Sequence, residues 1–184
     1  MPAFTVKGAG SRPACKILTG IKDMSWTSGA NGRLGNLTGM ARGRPAMATD
    51  ETKPEARTPY DALGGAPAFR TIVDRFYDLM DSDPAYARLR DMHGTDLAPM
   101  RDALASFLGG WAGGPREWFE ANPGRCMFSI HGGFPIDAET GGQWAEAMER
   151  AIADADIDDR ALAGQLSERL SMMARGMARN AQDA

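Results

Sequence analysis

The chain has 184 residues, 43% of them hydrophobic, and a formal net charge of −3 at pH 7, which is typical of one globular domain with additional segments. Residues 1–58 carry nine basic and four acidic side chains (+5), whereas residues 59–184 carry twelve basic and twenty acidic ones (−8). The acidic remainder argues against a nucleic-acid-binding domain, which needs a clustered basic face, and no run approaches the roughly 18 apolar residues of a membrane span.

The first 58 residues are rich in glycine, serine, threonine, proline and arginine and show no sustained apolar period. Such a segment buries too little surface to offset its ordering entropy, so we expect a disordered basic extension. An alternative is that the protein starts at Met47, directly before the domain, and that residues 1–46 are not expressed.

The two cysteines, Cys15 and Cys126, do not form a CxxC pair. A disulfide scaffold is therefore not expected, and the N-terminus lacks the apolar core of a signal peptide, so we expect a cytoplasmic protein. We expect Cys126 to be a buried, inert thiol, with a redox-active thiol as the alternative.

From Thr58 onward the apolar residues recur at helical spacing, and strand-like alternation is absent. The pattern predicts an all-α domain with four principal helices, separated first by Asp83-Pro84 and then by Gly113-Gly114-Pro115. The apolar positions of the four helices are, in order, Phe69, Ile72, Val73, Phe76, Tyr77 and Met80; Leu97, Met100, Leu104, Phe107, Leu108 and Trp111; Trp144, Met148, Ala151 and Ile152; and Leu162, Leu166, Leu170, Met173 and Met177.

Residues 116–137 are predicted to be irregular, although they are rich in apolar side chains. A long loop within a compact helical domain is usually functional or disordered, and an apolar loop is poorly suited to disorder. We therefore expect something hydrophobic, such as a cofactor, to pack against this segment. It contains His131, one of only two histidines in the chain.

Four short motifs occur in a characteristic order: Tyr60-Asp61-Ala62-Leu63-Gly64-Gly65, then Arg75-Phe76-Tyr77, then Gly113-Gly114-Pro115, then His131-Gly132-Gly133-Phe134-Pro135-Ile136 followed by Trp144. With these motifs the chain resembles a group II truncated hemoglobin over roughly residues 59–178. The resemblance implies a truncated globin domain over residues 59–180, folded as a two-over-two helical sandwich around a heme. No CxxCH motif is present, so a non-covalent b-type heme (iron protoporphyrin IX) is expected.

The resemblance also implies a set of site residues. His131 matches the proximal ligand of the heme iron, a role that suits a neutral imidazole. Tyr77 and Trp144 match residues that donate hydrogen bonds to the bound gas on the distal side. His93 resembles a position beside that pocket, where we expect it to bond the ligand or Tyr77.

The remaining cofactor contacts are expected to be mostly apolar. Met100, Leu104, Phe107 and Leu108 are predicted to face inward on the second helix as a distal wall that supplies no polar group. Met127, Phe134 and Ile136 are predicted cofactor contacts from the segment around His131.

Two positions depart from the family pattern. Ile130 stands where many members have an arginine that reaches a heme propionate, and Trp118 stands where a tyrosine is common. Arg125 and Arg116 are the candidate replacements by charge, and the sequence does not choose between them, although Arg125 is included among the cofactor contacts.

The leading functional hypothesis is binding of O₂ or another small ligand (NO, CO or peroxide). Three hydrogen-bond donors around the ligand favour slow release, which suits a scavenging, sensing or redox role. An alternative is an enzyme, a nitric-oxide dioxygenase or heme peroxidase, that would need an external electron donor. A third possibility is a globin-fold interaction domain without heme. A monomer and a homodimer both remain open.

Overall fold

The computed structural model describes residues 57–125 and 127–182, with side chains up to residue 178. The expected disorder of residues 1–56, the alternative start at Met47 and the state of Cys126 lie outside these residues. Within them the ordered elements are helices and turns, and no strand is present.

Eight α-helices follow one another in the described part of the chain: α1 Pro59–Ala62, α2 Gly65–Ser82, α3 Ala87–Asp91, α4 Ala98–Trp111, α5 Glu117–Ala121, α6 Met127–His131, α7 Ala138–Asp154 and α8 Arg160–Gln182. A 3-10 turn, Pro84–Tyr86, lies between α2 and α3. The four long helices α2, α4, α7 and α8 are the four that the apolar periodicity predicts.

The long helices end where the sequence supplies a stop or a cap. Asp83 follows α2 in an extended conformation, and its side chain accepts a hydrogen bond from the Ala85 backbone to start the 3-10 turn. At the start of α7, the Asp137 carboxylate accepts from the Thr140 backbone N–H, and the Thr140 hydroxyl accepts from the Asp137 backbone N–H. This reciprocal capping box satisfies donors that the first helical turn leaves unpaired and fixes where α7 begins.

Two layers of helices form the domain. Helix α2 packs against both α4 and α7, and α7 packs along α8. The apolar stripe of α2 is buried between them, with Ile72, Val73 and Phe76 fully inaccessible to solvent. This is the predicted two-over-two arrangement, and it places the distal candidate Tyr77 on the helix that joins the two layers.

The Gly113-Gly114 pair shows why that motif contains glycine. Gly113 has a φ of +97°, a left-handed conformation that side chains disfavour. A Cβ on Gly114 would lie 2.6 Å from ring atoms of Tyr60, which stacks on Phe69. The two glycines therefore allow the end of α4 to close against α1.

Residues 116–137 are not irregular throughout, and the prediction is wrong on this point. Two five-residue helices, α5 and α6, occupy parts of the segment. Helices this short are unstable alone and have no readable apolar period, so tertiary contacts must stabilise them. Trp118 in α5 and Met127 and Phe128 in α6 are buried and supply such contacts.

Candidate functional site

His131 is the last residue of α6, and its ring is partly buried. Its Nδ1 lies 2.7 Å from the Met127 carbonyl oxygen, one turn earlier in the same helix. A carbonyl can only accept, so Nδ1 is the donor, and in the neutral ring Nε2 keeps its lone pair. A backbone carbonyl that orients one ring nitrogen and leaves the other for a metal is the usual arrangement of a ligating histidine.

The surroundings of His131 are apolar. Phe134 lies beside it, with 6.2 Å between the two ring centroids, and its side chain is 48% exposed. Met127, the first residue of α6, is buried, and Ile136 is partly buried. A large exposed phenylalanine next to a histidine with a free Nε2 is a suitable surface for a flat apolar group.

The structure joins Tyr77, His93 and Trp144 through a chain of ring contacts that includes Phe76. Tyr77 and His93 meet edge to face with centroids 5.9 Å apart. Phe76 contacts the Tyr77 ring at 5.0 Å and the Trp144 ring at 5.3 Å. Three residues predicted to share the ligand side therefore form one cluster, although they come from α2, the segment after α3, and α7.

His93 is bound differently from the expectation. Its Nδ1 lies 2.8 Å from the Leu89 carbonyl, so Nδ1 is the protonated nitrogen, and its contact with Tyr77 is a ring contact. Burial lowers the pKa of His93 below its ordinary value of 6.5, with smaller lowering effects from Arg90 and His131, against an opposing hydrogen bond to Leu89. At neutral pH the ring is therefore uncharged, and with the proton on Nδ1 its Nε2 can accept a hydrogen bond, whereas the sequence predicted a donor.

Tyr77 and Trp144 both keep a donor that the described protein does not use. The Tyr77 side chain is 4% exposed, Trp144 is partly buried, and neither the phenol O–H nor the indole N–H has a hydrogen-bond acceptor within residues 57–125 and 127–182. Burial raises the pKa of Tyr77 to about 12, and Arg101 partly opposes this. The phenol therefore stays protonated and remains a donor at neutral pH.

Three of the four α4 residues that were predicted to face inward do so. Phe107 and Leu108 are buried, and Leu104 is partly buried against the core. Met100 is 43% exposed, so the prediction that it faces inward is wrong for the polypeptide. The reason is rotational: successive helical residues differ by about 100°, and Arg101 is the residue directed toward α2, which leaves Met100 at the open edge of α4.

Phe107 is also part of a second aromatic cluster. Its ring contacts Trp118 at 5.1 Å and Phe119 at 5.7 Å between centroids. Trp118 stands where a tyrosine is common in the family, and its ring makes an apolar contact with Phe107 of α4.

The two arginines that the sequence left open are placed differently. Arg116 stacks over the Phe119 ring, with 5.1 Å from its guanidinium carbon to the centroid. Arg125 is exposed and has no ion pair with the described residues. Among the described residues Arg125 therefore has no ion-pair partner, while Ile130 is partly buried against the core.

Two surface cavities differ in their relation to these residues. A cavity of about 540 Å³ lies between α7 and α8 and is lined by none of the predicted site residues. A second, of about 420 Å³, is lined by Met92 and Ile136 and by the charged side chains Arg88 and Asp137. Met92, which lines the second cavity, precedes His93 directly in the sequence, and Ile136 is a predicted cofactor contact. We therefore assign the second cavity, and not the larger one, to the candidate site.

Sequence reasoning missed Arg101 as a neighbour of the site. Its guanidinium carbon lies 5.5 Å from the centre of the Tyr77 ring. Helix α4 therefore places a charged group against Tyr77, which the sequence did not predict. The available signal was Asp74 and Asp78 at positions i and i+4 on the facing helix, with Tyr77 between them.

The donor set suits a heme. His131 offers an imidazole Nε2, Phe134 and Met100 offer exposed apolar surface, and Tyr77 and Trp144 offer unused donors. None of the helices in the described residues is long and apolar enough to cross a membrane.

Comparison with known proteins identifies the relatives of this chain. The family model described as bacterial-like globin matches residues 58–179. A cold-adapted truncated hemoglobin from the Antarctic marine bacterium Pseudoalteromonas haloplanktis TAC125 is 32% identical, with a TM-score of 0.63 over 66% of this chain and 97% of that one. A group II 2-on-2 hemoglobin from Agrobacterium tumefaciens is 28% identical, with a TM-score of 0.64 over 68% of this chain and 97% of that one.

A curated relative carries a different group name. The group 1 truncated hemoglobin GlbN from Nostoc sp. (strain MUN 8820) is 36% identical over 79 residues, which is 43% of this chain and 62% of that protein. The chain thus matches less than two thirds of that relative, whereas the structural matches cover nearly the whole of theirs. The family-model match and the match to the Pseudoalteromonas protein show that the chain belongs to the bacterial-like globins and is a truncated hemoglobin.

Proposed function

We propose that this globin binds O₂ at a non-covalent b-type heme and releases it slowly, in a scavenging, sensing or redox role. The observation that carries the proposal is the pair of unused donors, the Tyr77 O–H and the Trp144 N–H, in one cluster next to His93. A heme in this site would supply the iron on which the gas binds.

His131 would hold the iron through Nε2, with its orientation fixed by the Met127 carbonyl. Phe134, Met127 and Ile136 would contact the heme from the His131 side, and Met100, Leu104, Phe107 and Leu108 from α4. Arg125 would pair with a propionate, because it is exposed and has no ion pair among the described residues.

Tyr77 and Trp144 would act on the ligand. Bound oxygen carries partial negative charge, so donors in a partly buried site stabilise it, and each hydrogen bond must break before the ligand leaves. The structure supports two such donors at neutral pH, one fewer than the sequence predicts, because the His93 proton is on Nδ1 and bonds Leu89.

The test combines spectra with kinetics. The full-length protein loaded with hemin should give a strong Soret band, and its oxygen complex should release O₂ slowly when mixed with excess CO. A protein that does not take up hemin, or that releases O₂ as fast as a variant lacking both donors (Tyr77→Phe with Trp144→Phe), would contradict the proposal.

A peroxidase is the second candidate, favoured by the protonation state of His93. A neutral imidazole with a free Nε2 in the ligand cluster can take a proton from peroxide at neutral pH. An external reductant would have to supply the electrons. His93→Gln should then abolish peroxide-dependent oxidation of a reducing dye and leave hemin uptake intact; equal turnover in the variant would exclude His93 from that role.

A further inference from the structure

We infer that Arg101 is a positioning residue for Tyr77, holding the phenol by a guanidinium over its ring and strengthening it as a hydrogen-bond donor. This inference rests on the ligand-binding role proposed for Tyr77. It concerns the polypeptide on the distal side and requires no contact between Arg101 and heme.

The geometry is that of a cation–π contact. The guanidinium carbon of Arg101 lies 5.5 Å from the centre of the Tyr77 ring, inside the range of about 6 Å for such contacts. The Arg101 side chain is 18% exposed, so water screens the contact less than at an open surface. His93 packs edge to face with the same ring.

Helix α2 fixes the guanidinium in place through residues on both sides of Tyr77. Nη1 of Arg101 donates to the Asp74 backbone carbonyl at 2.8 Å and to its carboxylate at 3.2 Å. Nη2 donates to the Asp78 carboxylate at 2.7 Å. Asp74 precedes Tyr77 by three residues and Asp78 follows it by one. Because these two residues accept three hydrogen bonds from Arg101, the guanidinium has little freedom to move away from the Tyr77 ring.

The chemical consequence follows from the charge. A cation over the ring draws electron density from the phenol oxygen into the ring. The O–H bond becomes more polar, and the hydroxyl is therefore a stronger hydrogen-bond donor. In agreement, Arg101 lowers the pKa of the Tyr77 phenol against the dominant raising effect of burial. The carboxylates of Asp74 and Asp78 offset part of the Arg101 charge, while the guanidinium carbon lies over the Tyr77 ring.

Arg70 provides a matched control within the same helix pair. It also binds the Asp74 carboxylate, at 2.8 Å, and it also joins α2 to α4, through Asp102 at 2.6 Å. Its side chain is 49% exposed, and it has no contact with the Tyr77 ring. A variant of Arg70 therefore removes an α2–α4 ion pair without removing the cation from the phenol.

The experiment compares heme-loaded full-length Arg101→Gln, Arg70→Gln and Tyr77→Phe, and Arg101→Gln combined with Tyr77→Phe. Two quantities are measured: the O₂ dissociation rate and the C–O stretching frequency of the carbon-monoxide complex, which reports the field at the ligand. Arg101→Gln should raise the dissociation rate by up to roughly tenfold, the limit reached if the whole free energy of a partly buried cation–π contact were lost at the ligand, and should shift the C–O frequency upward. Arg70→Gln should change neither quantity.

In the Tyr77→Phe background, Arg101→Gln should have no further effect, since the donor on which it acts is gone. The inference is overturned if Arg101→Gln matches the wild type while Tyr77→Phe speeds release, if Arg70→Gln gives the same shift, or if the Arg101 effect persists without the phenol. An unchanged rate in Tyr77→Phe itself would overturn the proposed role of Tyr77 and this inference with it. If Arg101→Gln does not fold, Arg101→Met, of similar length, carries the same expectations.

Discussion

Removing a single hydroxyl, in Tyr77→Phe, tests the proposed oxygen chemistry with the least disturbance to the fold. The side chain is 4% exposed and its ring contacts Phe76 and His93, which phenylalanine can keep. The phenol O–H has no acceptor among the described residues, so its loss leaves no buried partner unpaired there. We expect the free energy of unfolding to change by less than about 1 kcal/mol.

The effect on the ligand should be much larger. A hydrogen bond to a charged or strongly polarised group is worth about 1.5–3 kcal/mol. Since about 1.4 kcal/mol corresponds to a tenfold change in an equilibrium constant, losing this bond should raise the O₂ dissociation rate roughly 10- to 150-fold. The pKa of Tyr77 is about 12, so the effect should be the same from about pH 7 to pH 10, where the phenol is protonated throughout.

The assay is stopped-flow displacement of O₂ by excess CO, with thermal unfolding of the same samples as the control for structure. Trp144→Phe is the companion variant and should also speed release, because it removes the other unused donor. A Tyr77→Phe protein with a normal Soret band, an unchanged melting temperature and a wild-type dissociation rate would refute the reasoning: the phenol would then not bond the ligand.

The remaining predictions address the proximal ligand, His93, the α1–α4 contact and the α7 cap. His131→Ala should lose hemin, and added imidazole should restore a Soret band if Nε2 is the missing ligand; hemin retained without imidazole would exclude His131. O₂ release should slow as the pH falls through the lowered pKa of His93, below 6.5, because protonation turns its Nε2 into a donor, and His93→Gln should remove this dependence. Gly114→Ala should lower the free energy of unfolding by about 1–3 kcal/mol, because its Cβ would meet the Tyr60 ring at 2.6 Å. The control is Gly164→Ala in α8, whose Cβ would meet nothing within 4 Å, and it should be neutral or stabilising in the same urea titration. Hydrogen bonds from Thr140 and Arg88 lower the pKa of Asp137 to about 2. The carboxylate should therefore stabilise the fold fully above about pH 4 and lose this effect as the pH falls toward about 2. Asp137→Ala should flatten that part of the acid unfolding curve, and a variant curve identical to that of the wild type would contradict this role of Asp137.

The sequence by itself determined the helical architecture and the site residues that depend on local pattern. The four long helices follow from apolar side chains repeating at helical spacing between proline and glycine breakers, signals that involve only neighbouring residues. The motifs around Tyr77 and His131 and the spacing to Trp144 predicted the family. They also predicted which residues would meet in one cluster, as Tyr77, His93 and Trp144 do.

Contacts between distant segments decided the rest. Helices α5 and α6 are too short to have a readable period, and the burial of Trp118 and Met127 makes them helical. The pKa of His93 is lowered by burial against other elements, although the carbonyl that orients its ring, at Leu89, is local. Arg101 covers Tyr77 because its partners Asp74 and Asp78 lie on the facing helix α2, and the apolar pattern within α4 does not show where those partners are. A sequence thus identifies the groups available for oxygen chemistry, whereas their hydrogen-bond roles are fixed only when the helices pack and each polar atom finds, or fails to find, a partner.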